Sequence, residues 1–308
     1  MNNNQDERKE QNFISSVVYI DEDSSGCEEF FRELLKCLDE HFLHYEIIAV
    51  CNGIDEDMSR RLHGLLEQYS ASLHMSLINM SVRQSREQCM NAGLDLSIGD
   101  YVYEFDSAEA VHDFGLVWEA YLEAMHGSDI VTVCPKKENI MSRIFYRTFN
   151  SHSNSAYPLR TNAFTLISRR ALNRVHSVYV SPTYRKAVYS SIGLKLSVLE
   201  FDGTVQNNER DKFGLAVDSL LLYTDFGCKF SLNLALLMML ATLTGLVYTA
   251  AVWFAGNPVS GWTTMMSVLT MGLTGVFAVL AIVMKYLTLI IRLFVNRQSY
   301  LVESIKKV

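Results

Sequence analysis

KFSLNLALLMMLATLTGLVYTAAVWFAGNPVSGWTTMMSVLTMGLTGVFAVLAIVMK, residues 229–285, decides the architecture of this chain. No acidic or basic residue lies between its two terminal lysines, and a turn containing Gly and Pro separates two apolar runs, 230–254 and 262–284. Each run exceeds the roughly 20 residues that an α-helix needs to cross the hydrocarbon core of a bilayer. Neither run shows the polar stripe of a helix buried in a soluble domain, so we favour a C-terminal hairpin of two transmembrane helices over that alternative.

The charges that flank the hairpin predict its orientation. Lys229 precedes the first span, the connecting turn carries no charge, and five basic residues follow the second span: Lys285, Arg292, Arg297, Lys306 and Lys307. The positive-inside tendency then places both ends in the cytoplasm. We therefore predict a multi-pass protein of the cytoplasmic (inner) membrane, with a disordered tail over 1–12, a cytoplasmic domain over 13–228, the spans within 229–284 and a cytoplasmic tail over 285–308.

Composition excludes several kinds of partner and site. A net charge of -7 argues against nucleic acid as a partner, because nucleic-acid binders usually carry a basic surface. The six cysteines form no CxxC pair, and the eight histidines form no HxxxH or HExxH pattern. We therefore expect neither a disulfide framework nor a zinc site, and interpret the cysteines as small core residues.

Strands and helices alternate along the first half of the chain. Apolar, β-branched runs at 13–21, 45–51, 73–80 and 101–105 predict strands, and amphipathic segments between them predict helices. This alternation is typical of an α/β domain with a mostly parallel sheet. Ligands of such sheets bind beyond the carboxyl ends of the strands, where Asp21, residues 51–55 and residues 106–109 fall.

The second half of the domain, residues 139–228, contains amphipathic segments that we predict to lie against the membrane. The stretch MSRIFYRTFNSHS, residues 141–153, mixes Ile, Phe and Tyr with Arg143 and Arg147, as interfacial helices do. An ordinary surface helix with two arginines explains the pattern equally well. A further amphipathic helix is predicted over 210–226, directly before the first span.

Two stretches resemble glycosyltransferase family 2, specifically the polyprenyl-phosphate (bactoprenol or dolichyl-phosphate) glycosyltransferases. RQSREQCMNAGLDLSIGDYVYEFD, residues 83–106, is similar to the family's run into its Asp-x-Asp motif, with six matching positions: Asn91, Gly93, Gly99, Asp100, Tyr101 and Asp106. KYLTLIIRLFVNRQSYLVESI, residues 285–305, is similar to the tail after the family's second transmembrane helix, including Tyr286, Asn296, Arg297, Tyr300, Val302 and Glu303. The likeness extends over nearly the whole chain.

The resemblance implies a GT-A-type sheet domain and a reaction in which a sugar leaves a nucleotide diphosphate and joins a polyprenyl phosphate. It implies Mg²⁺ or Mn²⁺ as a cofactor if the protein is active, and Asp106 and Glu109 as candidate metal ligands. The implied nucleotide-binding residues are Asp21, Asn52, Arg83 and Asp106. The implied lipid-phosphate contacts are Arg143, Arg147, Arg210 and Lys212.

The functional positions of the family pattern are altered in this chain. Where the family has Asp-Asp-Gly-Ser, residues 51–54 read Cys-Asn-Gly-Ile, and the Asp-x-Asp becomes Asp106-Ser107-Ala108. A methyl group cannot ligate a metal ion. The family's Gly-Asp-Phe-Arg-Leu, which holds the usual candidate for the catalytic base, matches Asn-Ala-Phe-Thr-Leu at 162–166, and its Arg-x-x-Gly-x-Ser-Lys matches residues 206–212, of which only Lys212 is kept.

Three hypotheses follow. We favour a membrane-anchored pseudoenzyme of envelope polysaccharide or lipid-linked sugar metabolism, which has lost metal-dependent transfer and acts as a homo-oligomer or with another glycosyltransferase or a flippase. The alternative is an active, divergent enzyme in which Asp106, Glu109, Glu104 or Asp55 supplies the metal and base functions. A membrane scaffold with no link to carbohydrate leaves the tail motif and Asp106 unexplained.

Overall fold

A computed structural model describes residues 9–54 apart from 23 and 25, residues 58–64 apart from 59 and 63, residues 74–109, 113–152, 156–178, 184–203 and 302–307, and scattered positions between 234 and 290. The strands are β1 (Ile14–Asp21), β2 (Tyr45–Asn52), β3 (His74–Met80), β4 (Tyr101–Phe105), β5 (Ile130–Pro135), β6 (Phe164–Ser168), β7 (Leu196–Phe201) and β8 (Val302–Lys307). The helices are α1 (Cys27–His41), α2 (Arg86–Leu96), α3 (Gly115–Met125), α4 (Ile140–His152), α5 (Arg169–Val178) and α6 (Arg185–Ser191).

The strands form one mixed sheet in the order β7-β5-β6-β4-β1-β2-β3-β8. Strands β1 to β4 pair in parallel, and so do β5 and β7. The predicted mostly parallel sheet is therefore right for its centre, but β6 runs antiparallel between β4 and β5, and β8 runs antiparallel along β3. Because β1, β2 and β4 are parallel neighbours, their carboxyl ends meet at one edge of the sheet.

Alternation along β4 places its aromatic side chains and its carboxylate on opposite faces of the sheet. Tyr103 and Phe105 are buried in the main apolar cluster, together with Phe30 of α1 and Val117 of α3. Glu104, between them in sequence, points to the opposite face, because successive side chains of a strand alternate. A carboxylate is thus carried into the interior on the side of the sheet away from that cluster, where it is only 4% exposed.

Helix α2 packs close to the sheet because of a glycine. A capping box starts the helix: the Ser85 side chain accepts a hydrogen bond from the Gln88 backbone, and the Gln88 side chain accepts one from the Ser85 N–H. A Cβ at Gly93 would lie 2.4 Å from a methyl carbon of Val17 and 2.9 Å from one of Val50. Any larger residue at Gly93 would push α2 off β1 and β2.

The turn before β4 explains another glycine of the predicted family pattern. Gly99 donates its N–H to the Ser15 hydroxyl at 2.8 Å, and a Cβ there would lie 2.5 Å from the Ser15 backbone nitrogen. Asp100 accepts from the Phe13 N–H at 2.9 Å. These contacts lie at the amino edge of the sheet, so Gly99 and Asp100 support the framework and not the site.

The chain divides into two compact units, Met1–Phe213 with Gln298–Val308, and Gly214–Arg297. Within the part of the chain that is described, no helix has both the length and the apolar content to cross a bilayer. The predicted spans 230–254 and 262–284 and the predicted helix 210–226 fall largely or wholly outside the described residues, so they stay predictions. In the second unit, a Cβ at Gly275 would lie 2.1 Å from Cγ of Met238, so these two positions of the predicted spans pack closely.

Candidate active site

The carboxyl edge of the sheet brings together five of the residues that the sequence singled out. Asp21 and Asn52 are the last residues of β1 and β2, and Asp106 directly follows β4. Arg83 approaches the same edge, since its side chain lies 3.9 Å from the position of a Cβ on Gly53. Glu109 lies near enough to Asp21 for that carboxylate, after burial, to raise the pKa of Glu109.

Asp106 is engaged by two cations of α6. Its Oδ1 accepts a hydrogen bond from Nη2 of Arg185 at 2.6 Å, and its Oδ2 lies 3.0 Å from Nζ of Lys186. The Asp106 and Lys186 side chains are each 17% exposed. Both carboxylate oxygens of the candidate metal ligand are therefore already paired with protein cations.

Arg185 joins Asp106 to two further carboxylates. Its guanidinium donates from Nε to Glu104 at 3.0 Å and lies 3.1 Å from Glu87 of α2. The Glu87 carboxylate also accepts the Arg185 backbone N–H at 3.2 Å. With its side chain 1% exposed, Arg185 is the hub of a buried cluster of charges.

Tyr189 completes the cluster one helical turn beyond Arg185. Its hydroxyl donates to the second oxygen of Glu104 at 2.5 Å. A buried charge costs free energy unless it is paired and hydrogen-bonded, and this carboxylate has a partner on each oxygen. The cluster thus anchors α6 to β4 and α2.

The pKa values in the cluster follow from burial and charge. Burial raises the pKa of Glu87 and of Glu104, and Arg185 offsets only part of that rise. Burial also opposes the ionisation of Asp106, but Lys186, Arg185 and Arg86 outweigh it and hold the pKa of that carboxyl well below its usual range. Of these three carboxyl groups, Asp106 is therefore the one whose pKa is lowered.

Both polar atoms of the Asn52 side-chain amide form hydrogen bonds within the protein. Its side-chain oxygen accepts the Gln84 N–H at 2.9 Å, and its amide nitrogen donates to the Gln84 carbonyl at 2.8 Å and to the Tyr19 hydroxyl at 2.9 Å. These bonds hold the segment before α2 against the end of β2. The role of Asn52 in binding a nucleotide stays a prediction, which would require one of these bonds to be exchanged.

A cavity of about 760 Å³ opens beside the ends of β1 and β2. Its walls include Glu22, Gly53, Ile54 and Arg61. The volume is within the range of small-molecule sites. Arg83, which is predicted to bind a nucleotide, stands over this region and pairs with Glu22 at 3.5 Å, with both side chains well exposed. The Asp21 carboxylate accepts a hydrogen bond from Ser24, another residue of the cavity wall, at 2.9 Å.

The segment before β6 reaches the same edge as Asp106. Phe164 pairs with Phe105 of β4, and β6 runs antiparallel, so Asn162 and Ala163 lie level with the end of β4. The Asn162 amide donates to Thr165 at 2.7 Å, and its oxygen is buried without a hydrogen-bond partner among the described residues. No carboxylate stands where the family resemblance implies a catalytic base.

Among the described residues, the surroundings of Asp106 do not fit a divalent cation. In the described part of the chain, no three His, Cys, Asp or Glu side chains come together as a metal site. Asp106 is committed to Arg185 and Lys186, and Ala108, which replaces the second carboxylate of the motif, is fully buried. A metal ion at Asp106 would have to displace one of the two cations or lie beside both, with like charges repelling.

The predicted lipid-phosphate residues are described in part. Arg143 and Arg147 are exposed on α4, and Ile140 and Ile144 of the same helix are 72% and 57% exposed. The opposite side of α4 buries Phe149. Arg210 and Lys212 lie outside the described residues, as does Asp55.

Sequence reasoning missed Arg185, Lys186, Glu87 and Tyr189. Glu104 was named only as a substitute in the active-enzyme alternative, although an acidic residue between Tyr103 and Phe105 of a buried strand signals an internal partner. Arg185 carried no comparable signal, because its segment is short and its partners Glu87 and Glu104 lie 98 and 81 residues away. The prediction that the cysteines are core residues is confirmed for the five that are described, all buried with free thiols.

Comparison with known proteins supports the fold. No protein-family model matches the chain. A Synechocystis protein described as an uncharacterized glycosyltransferase is 22% identical over 201 residues, which cover 61% of this chain and 60% of that protein. The chain thus spans less than two thirds of the length of this curated relative.

Solved structures extend the likeness. The mannosyltransferase PcManGT from Pyrobaculum calidifontis, in complex with GDP-Man and Mn²⁺, is 14% identical with a TM-score of 0.50, covering 86% of this chain and 87% of that one. A mycobacterial protein is 13% identical with a TM-score of 0.51, covering 72% of this chain and 78% of that one. The predicted GT-A-type domain is confirmed: the chain has a GT-A-like fold.

Proposed function

We propose that this chain is a membrane-anchored, glycosyltransferase-like protein of envelope polysaccharide or lipid-linked sugar metabolism, in which metal-dependent sugar transfer is impaired or lost. It retains a nucleotide-sugar-type fold and acts with a partner, as a homo-oligomer or beside another glycosyltransferase or a flippase. The observation that carries the proposal is the pairing of Asp106 with Arg185 and Lys186.

That pairing bears on the chemistry of transfer. A nucleotide diphosphate is a good leaving group only when its developing negative charge is neutralised, and a divalent cation held by carboxylates is one common way to do so. Here the carboxylate that would hold the cation is neutralised from within the protein. The second carboxylate of the motif is a buried alanine, Ala108, and the position implied for the base is Ala163.

The membrane part of the proposal is supported by the apolar runs of the sequence and by α4. Ile140 and Ile144 lie one turn apart on α4, and Arg143 and Arg147 form an adjacent exposed row. Exposed apolar side chains beside arginines suit the boundary between lipid tails and anionic headgroups. A polyprenyl phosphate presents that same combination of a long apolar chain and a phosphate.

Calorimetry on the full-length protein in lipid nanodiscs tests the proposal. UDP and GDP are titrated in EDTA and then with MnCl₂, and we expect weak binding with little gain from the metal. The Asp106→Asn variant serves to locate any metal effect. Micromolar binding that requires Mn²⁺ and is abolished by Asp106→Asn would overturn the proposal of lost metal dependence.

The alternative, an active and divergent transferase, is favoured by one observation. Glu109 lies near Asp21 and Arg86, and burial, followed by the Asp21 charge, raises the pKa of its carboxyl. A carboxylate with a raised pKa is better suited to accept a proton near neutral pH. Transfer of radiolabelled sugar from UDP-glucose or GDP-mannose to undecaprenyl phosphate, lost on Glu109→Gln, would select this alternative.

A further inference from the structure

We propose that Lys186, held in place by the Asp106 and Arg185 pair, takes over the position of the divalent cation, so that a nucleoside diphosphate binds at this edge without metal. This inference rests on the proposed nucleotide-binding function and specifies how the diphosphate is recognised. It assigns the phosphate contact to α6, a helix that the sequence did not single out.

Arg185 and Lys186 have different surroundings and therefore different tasks. The Arg185 guanidinium is 1% exposed and is surrounded by Glu87, Glu104 and Asp106, so it cannot reach a ligand without leaving its partners. It fixes the Asp106 carboxylate through Oδ1. Oδ2 of the same carboxylate then holds the ammonium of Lys186.

Of the two basic residues of α6 that contact Asp106, Lys186 is the one that can contact an anion. Its side chain is 17% exposed, and its ion-pair partner among the described residues is Asp106, at 3.0 Å. An ammonium group has three N–H donors, so a contact to one carboxylate oxygen leaves donors for phosphate oxygens. A lysine is a well-suited phosphate ligand when it acts as a positioned point charge.

Arg86 adds positive charge on the α2 side of the same edge. Its guanidinium carbon lies 5.3 Å from the centre of the Tyr19 ring, and its Nε is buried with no hydrogen-bond partner in the described part of the chain. Together with Lys186 it places two cations around Asp106. A diphosphate entering here meets fixed protein cations where a metal-dependent site would offer a carboxylate-bound metal ion.

Nucleotide titrations on the full-length protein in nanodiscs test this assignment. UDP and GDP are titrated in EDTA against the wild type and the variants Lys186→Met, Lys186→Arg and Lys195→Met. Lys195 is exposed and precedes β7 at the opposite edge of the sheet, so its variant is a matched control. Thermal unfolding of each variant shows whether it is folded.

We expect the nucleotide that binds the wild type to do so with the same affinity, within about threefold, in EDTA and in MnCl₂. Lys186→Met should lower the affinity for that nucleotide by roughly tenfold or more, the usual effect of losing a charge-assisted hydrogen bond. The Lys186→Arg variant, which keeps the charge, and the Lys195→Met variant should both bind the nucleotide with nearly the wild-type affinity.

Two results would overturn the inference while leaving nucleotide binding intact: a tenfold or larger gain in affinity with Mn²⁺, or equal affinity for Lys186→Met and Lys195→Met. Absence of binding by both nucleotides under both conditions would overturn this inference together with the nucleotide-binding part of the proposed function.

Discussion

Replacing Arg185 by Met removes the only positive charge that the structure shows in contact with both Glu87 and Glu104 in the described part of the chain. The substitution keeps an unbranched side chain of similar reach but leaves these two buried carboxyl groups without their cation. Asp106 keeps Lys186 as a partner. The variant therefore isolates the contribution of the guanidinium to the stability of the fold.

The magnitude follows from the burial of the cluster. Removing one partner of a buried ion pair costs roughly 3–5 kcal/mol, because the remaining charge stays out of water. The Glu87 and Glu104 side chains are 8% and 4% exposed, so the upper part of that range applies before protonation relieves it. At roughly 2–4 °C per kcal/mol for a domain of this size, a loss of about 4–5 kcal/mol should lower the unfolding midpoint by roughly 8–20 °C.

The loss should depend on pH with a definite sign. Without the guanidinium, the pKa values of Glu87 and Glu104 rise further above those of the unfolded chain, so the folded variant binds more protons than the unfolded one. Stability then falls as pH rises between the unfolded and folded pKa values. The deficit relative to the wild type should therefore be smaller at about pH 5 than at about pH 8.

Thermal unfolding of the full-length protein in nanodiscs, followed by intrinsic fluorescence at both pH values, measures the effect. Arg83→Met is the matched control, because Arg83 pairs with Glu22 at 3.5 Å while both side chains are about 60% exposed. Such surface pairs contribute about 0–1 kcal/mol. An Arg185→Met midpoint no lower than that of Arg83→Met, or a deficit that grows on acidification, would contradict the predicted role of the Arg185 guanidinium.

Three further predictions follow from packing and exposure. Gly93→Ala should destabilise the protein by roughly 1–3 kcal/mol in urea unfolding, because its Cβ would meet Val17 at 2.4 Å, whereas Gly64→Ala, with open space around its Cβ, should not. Deleting residues 302–308 should speed hydrogen exchange at the β3 amides that pair with β8, and unchanged protection would contradict that pairing. Amides of α4 should exchange more slowly in nanodiscs with anionic lipid than with zwitterionic lipid; a difference that survives Arg143→Gln with Arg147→Gln would argue against headgroup binding.

Most of the fold could be predicted from the sequence because its signals are local. β1, β2, β3 and β4 were predicted to within about two residues, since each is an apolar run closed by turn residues. Helix α1 was predicted from the helical spacing of its apolar side chains, and α2 as the segment between the third and fourth predicted strands. Three elements were missed: α3, which follows β4; α6, which has only seven residues; and β8, whose sequence VESIKK is too polar to stand out from a tail.

The position of the candidate site could be predicted from the sequence, but the charged partners of Asp106 could not. Parallel strands align their carboxyl ends, so the strand pattern was enough to predict that Asp21, Asn52 and Asp106 would meet at one edge of the sheet. The cations that face Asp106 could not be predicted in this way, because they come from α6. Arg185 reaches Asp106 from 79 residues along the chain, and ion pairs between distant segments leave no periodicity or spacing in the sequence. Local patterns report which residues lie on a strand or helix, whereas the partner of a buried charge depends on how those elements pack.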